Sequence, residues 1–496
     1  MTGKRLNRRE FLRLGATTAL GAALAGCAPK AEPTQPAATQ PAEPTTAAPE
    51  AEPVTIRWYA NADPTRNTWM NDVAIPDFQQ IHPEITIEPI IVPWDEFDPK
   101  LSSMFAAGDL PEVFANWGST GYVEYALRGM CIYMDEYISA DADFLQLDDF
   151  VPSAVEGVRV RGKLVGLPIY ILGTYTYYNK DLFDAGGLDY PPSNWDDKTW
   201  TWDKMLEVAQ KLTRNYEDPT TGQYGVTLGL GSPEEMPWLW GHEIWSDEVL
   251  ATGVAKEIDF DNPLVIEAFQ AQADLVCKHK VAPDSAISQA LSAAGDPFQV
   301  GKVAMNMSGG WGFWSLKEVE GTFHWGAGAL PRGPKGDLKD SLYADPMLIS
   351  TQTPLKDDAW KFMRYLYSVE GLRKFTVATW SPPSRKSLLP DWINLWAEDV
   401  REELTESLEG SWKYGVVTPW NRIAGYSQFY DALYAELDPV FLCEATMEEV
   451  APVVKKAVED VLAGLEFKSD RTGSDTGTDR GVGGGEARPP RFHLGE

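Results

Sequence analysis

Residues 54–115 switch repeatedly between two hydrophobic periods, and that alternation limits the folds open to this chain. Val54-Thr55-Ile56-Arg57-Trp58-Tyr59 alternates as a half-buried strand. Trp69 to Ile81 reads as a helix, broken by His82-Pro83-Glu84, and Ile85-Thr86-Ile87-Glu88 is a second strand. A second helix reaches Ala107 and stops at Gly108, and Pro111-Glu112-Val113-Phe114-Ala115 is a third strand. Strand and helix in strict alternation predict a parallel sheet with helices packed on it. Such sheets take ligands beyond the carboxyl ends of their strands. Asn61 and Asp63 follow the first strand, and Asn116, Trp117 and Gly118 follow the third. Asn61, Asp63 and Trp117 are therefore candidate ligand residues, although Asp63 before Pro64 also suits a turn.

A second stretch, Phe298 to Trp314, reads FQVGKVAMNMSGGWGFW. Its apolar run Val303-Ala304-Met305-Asn306-Met307 has strand length. Gly309-Gly310 ends the run and lets the backbone turn sharply beneath Trp311. A Trp held there can present its ring face to the weakly positive C–H groups of a sugar. A buried Trp311 beside a turn is the plain alternative.

The string F-x-x-G-K-x-A-M-x-x-x-G-x-W in this stretch resembles the family 1 extracellular solute-binding proteins, receptors of carbohydrate-importing ABC transporters. Gly162-Lys163-Leu164-Val165-Gly166-Leu167-Pro168, with Tyr177-Tyr178-Asn179-Lys180-Asp181-Leu182-Phe183 shortly after, is similar to the segment crossing between lobes in that family. The resemblance runs from Val54 to Leu465 in matching motif order. It implies a two-lobed α/β fold of the type II periplasmic-binding-protein kind, each lobe a mostly parallel sheet flanked by helices, with hinge crossovers. The implied first lobe is 54–168 with 343–390, and the second is 169–342 with 391–465. Tyr170, Thr174 and Tyr175 would then face the cleft after the crossing. Trp240 would stand at its rim in the cluster with Trp238 and Trp245. Trp380 and Arg385 would face ligand from the Pro-rich turn Trp380-Ser381-Pro382-Pro383-Ser384-Arg385, and Trp420 would join them. The implied ligand is a neutral carbohydrate and the implied partner an ABC permease. No catalytic residue and no cofactor is implied, and the receptor would be a monomer. A lipid-anchored glycosidase, or the same receptor fold for a polyol or peptide, is the alternative. Among 73 acidic residues no spacing singles out a catalytic carboxylate pair.

Composition agrees. A net charge of −30 repels phosphates, so nucleic acids and anionic substrates are poor partners. The 19 Trp residues equal Tyr and Phe in number, which suits carbohydrate stacking. The five histidines are scattered without H-E-x-x-H, so a metal site has no support.

The amino terminus reads as an address. Asn7-Arg8-Arg9-Glu10-Phe11-Leu12 resembles a twin-arginine export signal. The apolar run after it ends in Leu24-Ala25-Gly26-Cys27, which resembles a bacterial lipobox with Cys27 as the lipidated residue. Residues 1–26 would be removed, and Cys27 would hold the protein on the extracytoplasmic face of a bacterial membrane. Residues 27–53, rich in Pro, Ala, Thr and Glu, read as a tether. Residues 466–496, with Gly481 to Gly485 in part, read as a disordered tail. Cys131, Cys277 and Cys443 remain, enough for one disulfide and one free thiol, and the spacing does not say which pair.

Overall fold

The computed structural model describes residues 54–467, apart from 116–119, 318, 320 and 321. The export signal, Cys27, the tether, Trp117 and the Gly-rich tail lie outside the described residues.

Among the described residues twelve strands follow in chain order: β1 Val54–Asn61, β2 Ile85–Val92, β3 Val113–Ala115, β4 Arg159–Val160, β5 Lys163–Leu164, β6 Pro168–Leu172, β7 Thr174–Asn179, β8 Tyr224–Gly229, β9 Val303–Gly309, β10 Trp325–Gly328, β11 Asp340–Ile349 and β12 Gly415–Val417. The first sheet has the order β12-β11-β3-β1-β2, with β6 also on β11. β1 runs parallel to β2 and to β3, as the alternating pattern predicts, and β11 is antiparallel to β3. The helix after β1 begins earlier than the sequence suggests, at Pro64, and continues through a π turn at Met70–Ala74 to Ile81. Asp63 is its N-cap, accepting the N–H of Arg66 at 2.7 Å, and Pro64 fills the first position, where a missing N–H costs nothing.

The second sheet has the order β10-β7-β9-β8. It is mixed rather than mostly parallel: β8 and β9 run parallel, while β7 is antiparallel to both β9 and β10. Hydrophobic periodicity marks strands but not their direction, which follows from where the chain enters the sheet. β7 enters directly from β6 through Gly173, with no crossover helix to reverse it.

Three of the chain's passages between the sheets lie at strand ends, and a further one leads from the helix Val369–Thr379 of the first core to Leu389 and Trp392 of the second. The first passage is at Gly173, beyond Pro168, because β6 still pairs with β11 in the first sheet. The second lies between β10 and β11. The third follows the helix Arg401–Tyr414, whose Ser407 hydroxyl donates to the carbonyl of Ala327 on β10 at 2.6 Å and whose end leads into β12 on β11. Gly173 must be glycine, since a Cβ there would stand 1.9 Å from Ser411 Oγ.

Each sheet has its own aromatic core. In the first, Trp58 meets Phe362 and Trp69 edge-on at 5.0 and 5.7 Å. In the second, Phe313 meets Tyr175, Tyr177 and Trp392 at 5.0–5.2 Å. A third cluster joins the helices Pro263–Cys277, Tyr426–Phe441 and Met447–Ala463. There Cys277 and Cys443 form a disulfide. Cys131, in the first core, is a buried free thiol whose pKa burial pushes up to about 12.

Candidate functional site

The antiparallel pair β6/β11 carries a mixed aromatic and polar face. Tyr343 and Asp345 are two apart on β11 and so share one side of the strand. The pairing register shifts between Ala344 and Pro346, where Pro346 has no N–H for the ladder. The Tyr170 hydroxyl on β6 donates to Asp345 Oδ2, and Asn421 Nδ2 donates to its Oδ1 at 3.3 Å. Burial first, then the negative charge of Asp345, hold the Tyr170 phenol well above its ordinary pKa, so it stays a donor.

Two walls rise beside this floor. On one, the Arg66 guanidinium lies 5.1 Å from the Trp314 ring and 5.9 Å from that of Tyr170, and its Nη1 donates to Asn61 Oδ1 at 3.2 Å. The cap at Asp63 sets where the first turn of this helix, and so Arg66, stands. Trp314 fixes its own ring by donating Nε1 to Ser381 Oγ at 3.3 Å, and Tyr170 stacks on Phe375 at 5.9 Å. On the other wall, half-buried Trp311 meets Tyr343 edge-on at 5.2 Å. Gly309 and Gly231 make room for it: a Cβ at either would stand 2.3 and 2.5 Å from the indole. Trp420, next to Asn421, is half-buried against Tyr426 and Tyr430 at 5.4 and 5.8 Å.

The structure thus brings together Asn61, Asp63, Tyr170, Trp311 and Trp420 of the sequence candidates, around residues that the sequence reading missed: Arg66, Trp314, Tyr343, Asp345 and Asn421. A signal for two of these was present, since Tyr343 and Asp345 are polar positions at period two inside the otherwise apolar run from Leu342 to Ile349. Thr174 is fully buried, and its N–H donates to Asp340 Oδ1 at 2.8 Å, so it belongs to the passage between sheets.

Four expectations are corrected. Tyr175 points into the second core, packed by Tyr177, Trp195 and Phe313, because alternation on β7 turns it inward. Trp240 is buried edge-on against Trp202 at 5.2 Å. Trp380, at a positive φ of 59° after the helix Val369–Thr379, lays its ring against Trp396 at 5.0 Å, and its carbonyl accepts Trp392 Nε1. Arg385 is 0 % exposed: its guanidinium donates to Asp149 at 3.1 Å and to the carbonyls of Leu145 and Tyr367 at 2.6 and 2.7 Å. Both terminal nitrogens of that fork are spent inside the fold, and its Nε is buried without a well-formed hydrogen bond. Trp117 lies outside the described residues.

Stacking rings, a carboxylate, an amide and a guanidinium on one face can hold a hydroxylated ligand by hydrogen bonds and ring contacts without making or breaking a bond. Known proteins share the frame. A binding protein of Brucella abortus (strain 2308) is 25 % identical over 302 residues, 60 % of this chain and 68 % of that one. The mannitol-binding protein of Pseudomonas aeruginosa is 30 % identical over 223 residues, 42 % of this chain and 47 % of that one. Among solved structures, the ABC substrate-binding protein Lmo0181 from Listeria monocytogenes in complex with cycloalternan superposes with a TM-score of 0.68 at 22 % identity, over 84 % of this chain and all of that one. The fold is therefore the two-lobed type II periplasmic-binding-protein fold. The model of the bacterial extracellular solute-binding proteins matches residues 61–372, well over half of the chain, and this protein belongs to that family.

Proposed function

We propose that this protein is the lipid-anchored receptor of a bacterial ABC importer, taking a neutral carbohydrate between its two lobes and presenting it to the permease. The observation that carries this reading is the meeting of Trp311, Trp314, Tyr343 and Trp420 with Asp345, Asn421 and Arg66 around the strand pair β6/β11. Ligand touches both lobes only when they close, so it stabilises closure by its differential affinity for the closed state. Micromolar affinity needs about −8 kcal/mol, within reach of a few stacked rings and polar contacts. A relative that binds mannitol and a structural neighbour that holds cycloalternan both support an uncharged, hydroxyl-rich ligand. The mannitol-binding relative also favours a polyol as a second reading.

A thermal-shift panel of mono- and oligosaccharides, polyols and short peptides tests this. Saturable stabilisation by a sugar or polyol is expected, and stabilisation by peptides alone overturns it. Trp311→Ala should weaken that ligand about tenfold, the loss of one aromatic contact of about 1–1.5 kcal/mol, with the melting temperature of the free protein near that of the parent. A large fall in stability with unchanged affinity would make Trp311 a packing residue. For the anchor, Cys27→Ser should move the protein from the membrane fraction to the soluble one, and retention of the variant would refute lipidation at that residue.

A further inference from the structure

Asp340, the first residue of β11, is fully buried where the three strand-end passages between the sheets meet. One of its oxygens accepts the N–H of Thr174, the first residue of β7, at 2.8 Å. The other accepts the hydroxyl of Ser411, just ahead of β12. A single carboxyl thus ties all three of these segments. Glu235 shares the site, 1 % exposed, with Oε1 accepting the N–H of Ser232 at 3.0 Å and reached by the Tyr343 hydroxyl at 3.5 Å. Tyr343 in turn touches Trp311 of the candidate ligand site. Glu235 Oε2 and Thr174 Oγ1 are both buried with no well-formed hydrogen bond. The titratable groups facing the pair are Glu234 on the same turn, Tyr343 on β11, Tyr175 and Tyr177 on β7, and Tyr434 on the helix Tyr426–Phe441. Tyr426, on that same helix, bonds Glu234 rather than the pair, at 2.6 Å. All of these are acids or phenols, so none offers a countercharge.

We propose that Asp340 and Glu235 form a proton-operated hinge: with the pair protonated the two lobes favour the closed arrangement, and ionisation favours the open one. A carboxylate in a dry joint is costly, and two adjacent ones repel, whereas opening admits water to both. Burial holds both carboxyls above their ordinary range, Glu235 at about 8. This inference uses the closure invoked for the receptor but not the identity of its ligand.

The test is made on the full chain without ligand. Small-angle scattering and tryptophan fluorescence are followed from pH 6 to 9.5 for the parent, Glu235→Gln and Asp340→Asn, with exposed Glu207→Gln as control. In the parent and the control the radius of gyration should rise with pH and level off near pH 8, where burial places Glu235. Glu235→Gln should stay at the compact value throughout, and Asp340→Asn should titrate with a smaller amplitude. A flat parent profile overturns the proposal, as does a Glu235→Gln profile that matches the parent. Melting curves add a sign check. A folded-state pKa above the ordinary 4.5 means that stability is full below pH 4.5 and is lost as pH rises towards about 8. Any buried acid would shift the melts; only a hinge shifts the dimensions. Because no ligand is present, failure here leaves the carbohydrate reading standing, and failure of the ligand panel leaves this one standing.

Discussion

Removing the Cys277–Cys443 disulfide, by the paired change Cys277→Ser and Cys443→Ser, is expected to cost about 4–5 kcal/mol of stability. The bond closes a loop of 166 residues, and chain-entropy arithmetic for a loop of that order gives about 5 kcal/mol. The paired change avoids a stray thiol. The bond joins the end of the helix Pro263–Cys277 to the segment after Tyr426–Phe441, so the loss should fall on the third cluster, where Phe260, Phe269, Phe429 and Leu433 are buried. Urea unfolding followed by far-UV circular dichroism checks this, alongside the parent with and without reductant. Coincident midpoints for the parent and the pair would overturn it. Cys131 should not complicate the result, since its buried, protonated thiol is a poor nucleophile.

Arg385→Met should destabilise the fold by about 3–5 kcal/mol, the cost of breaking a buried ion pair from one side. The side chain is enclosed, with its guanidinium 4.0 Å from the centre of the Phe150 ring. Its removal strands the carbonyls of Leu145 and Tyr367 and leaves Asp149 with fewer donors, though Ser387 still serves that carboxylate through its N–H and hydroxyl. Burial pulls the Arg385 pKa down and the Asp149 pair opposes this, yet an arginine stays charged at any working pH. Arg385→Lys should recover little, because an ammonium cannot span three acceptors in a fixed fork. Thermal unfolding reads the loss, and titration of whichever ligand the panel identifies should show affinity unchanged wherever the variant is folded. Weakened binding at full stability would return Arg385 to the ligand site.

The contrast between Arg385 and Arg66 shows where sequence reasoning reaches its limit. Both are arginines near a proline turn. One is consumed by the carbonyls of Leu145, 240 positions away in the chain, and of Tyr367, and the other lies over Trp314 and Tyr170 in the candidate site. Nothing local separates them. Tyr175 and Tyr343 differ in the same way, one sealed between Tyr177 and Phe313 and the other half-exposed beside Trp311.

What the sequence determined on its own was whatever depends on neighbours in the chain. The parallel run β3-β1-β2 of the first sheet follows from the alternation of periods two and 3.6 over residues 54–115, and the turn under Trp311 follows from Gly309-Gly310. Family membership was legible because its motifs are short and contiguous. Tertiary structure alone decided the direction of β7, the choice of Cys443 as partner for Cys277, and the gathering of Asp345, Asn421, Arg66 and Trp314. Each of those joins segments tens to hundreds of residues apart. Hydrophobic period carries no record of such distances; burial and the pairing of buried polar groups impose them only once the chain has collapsed.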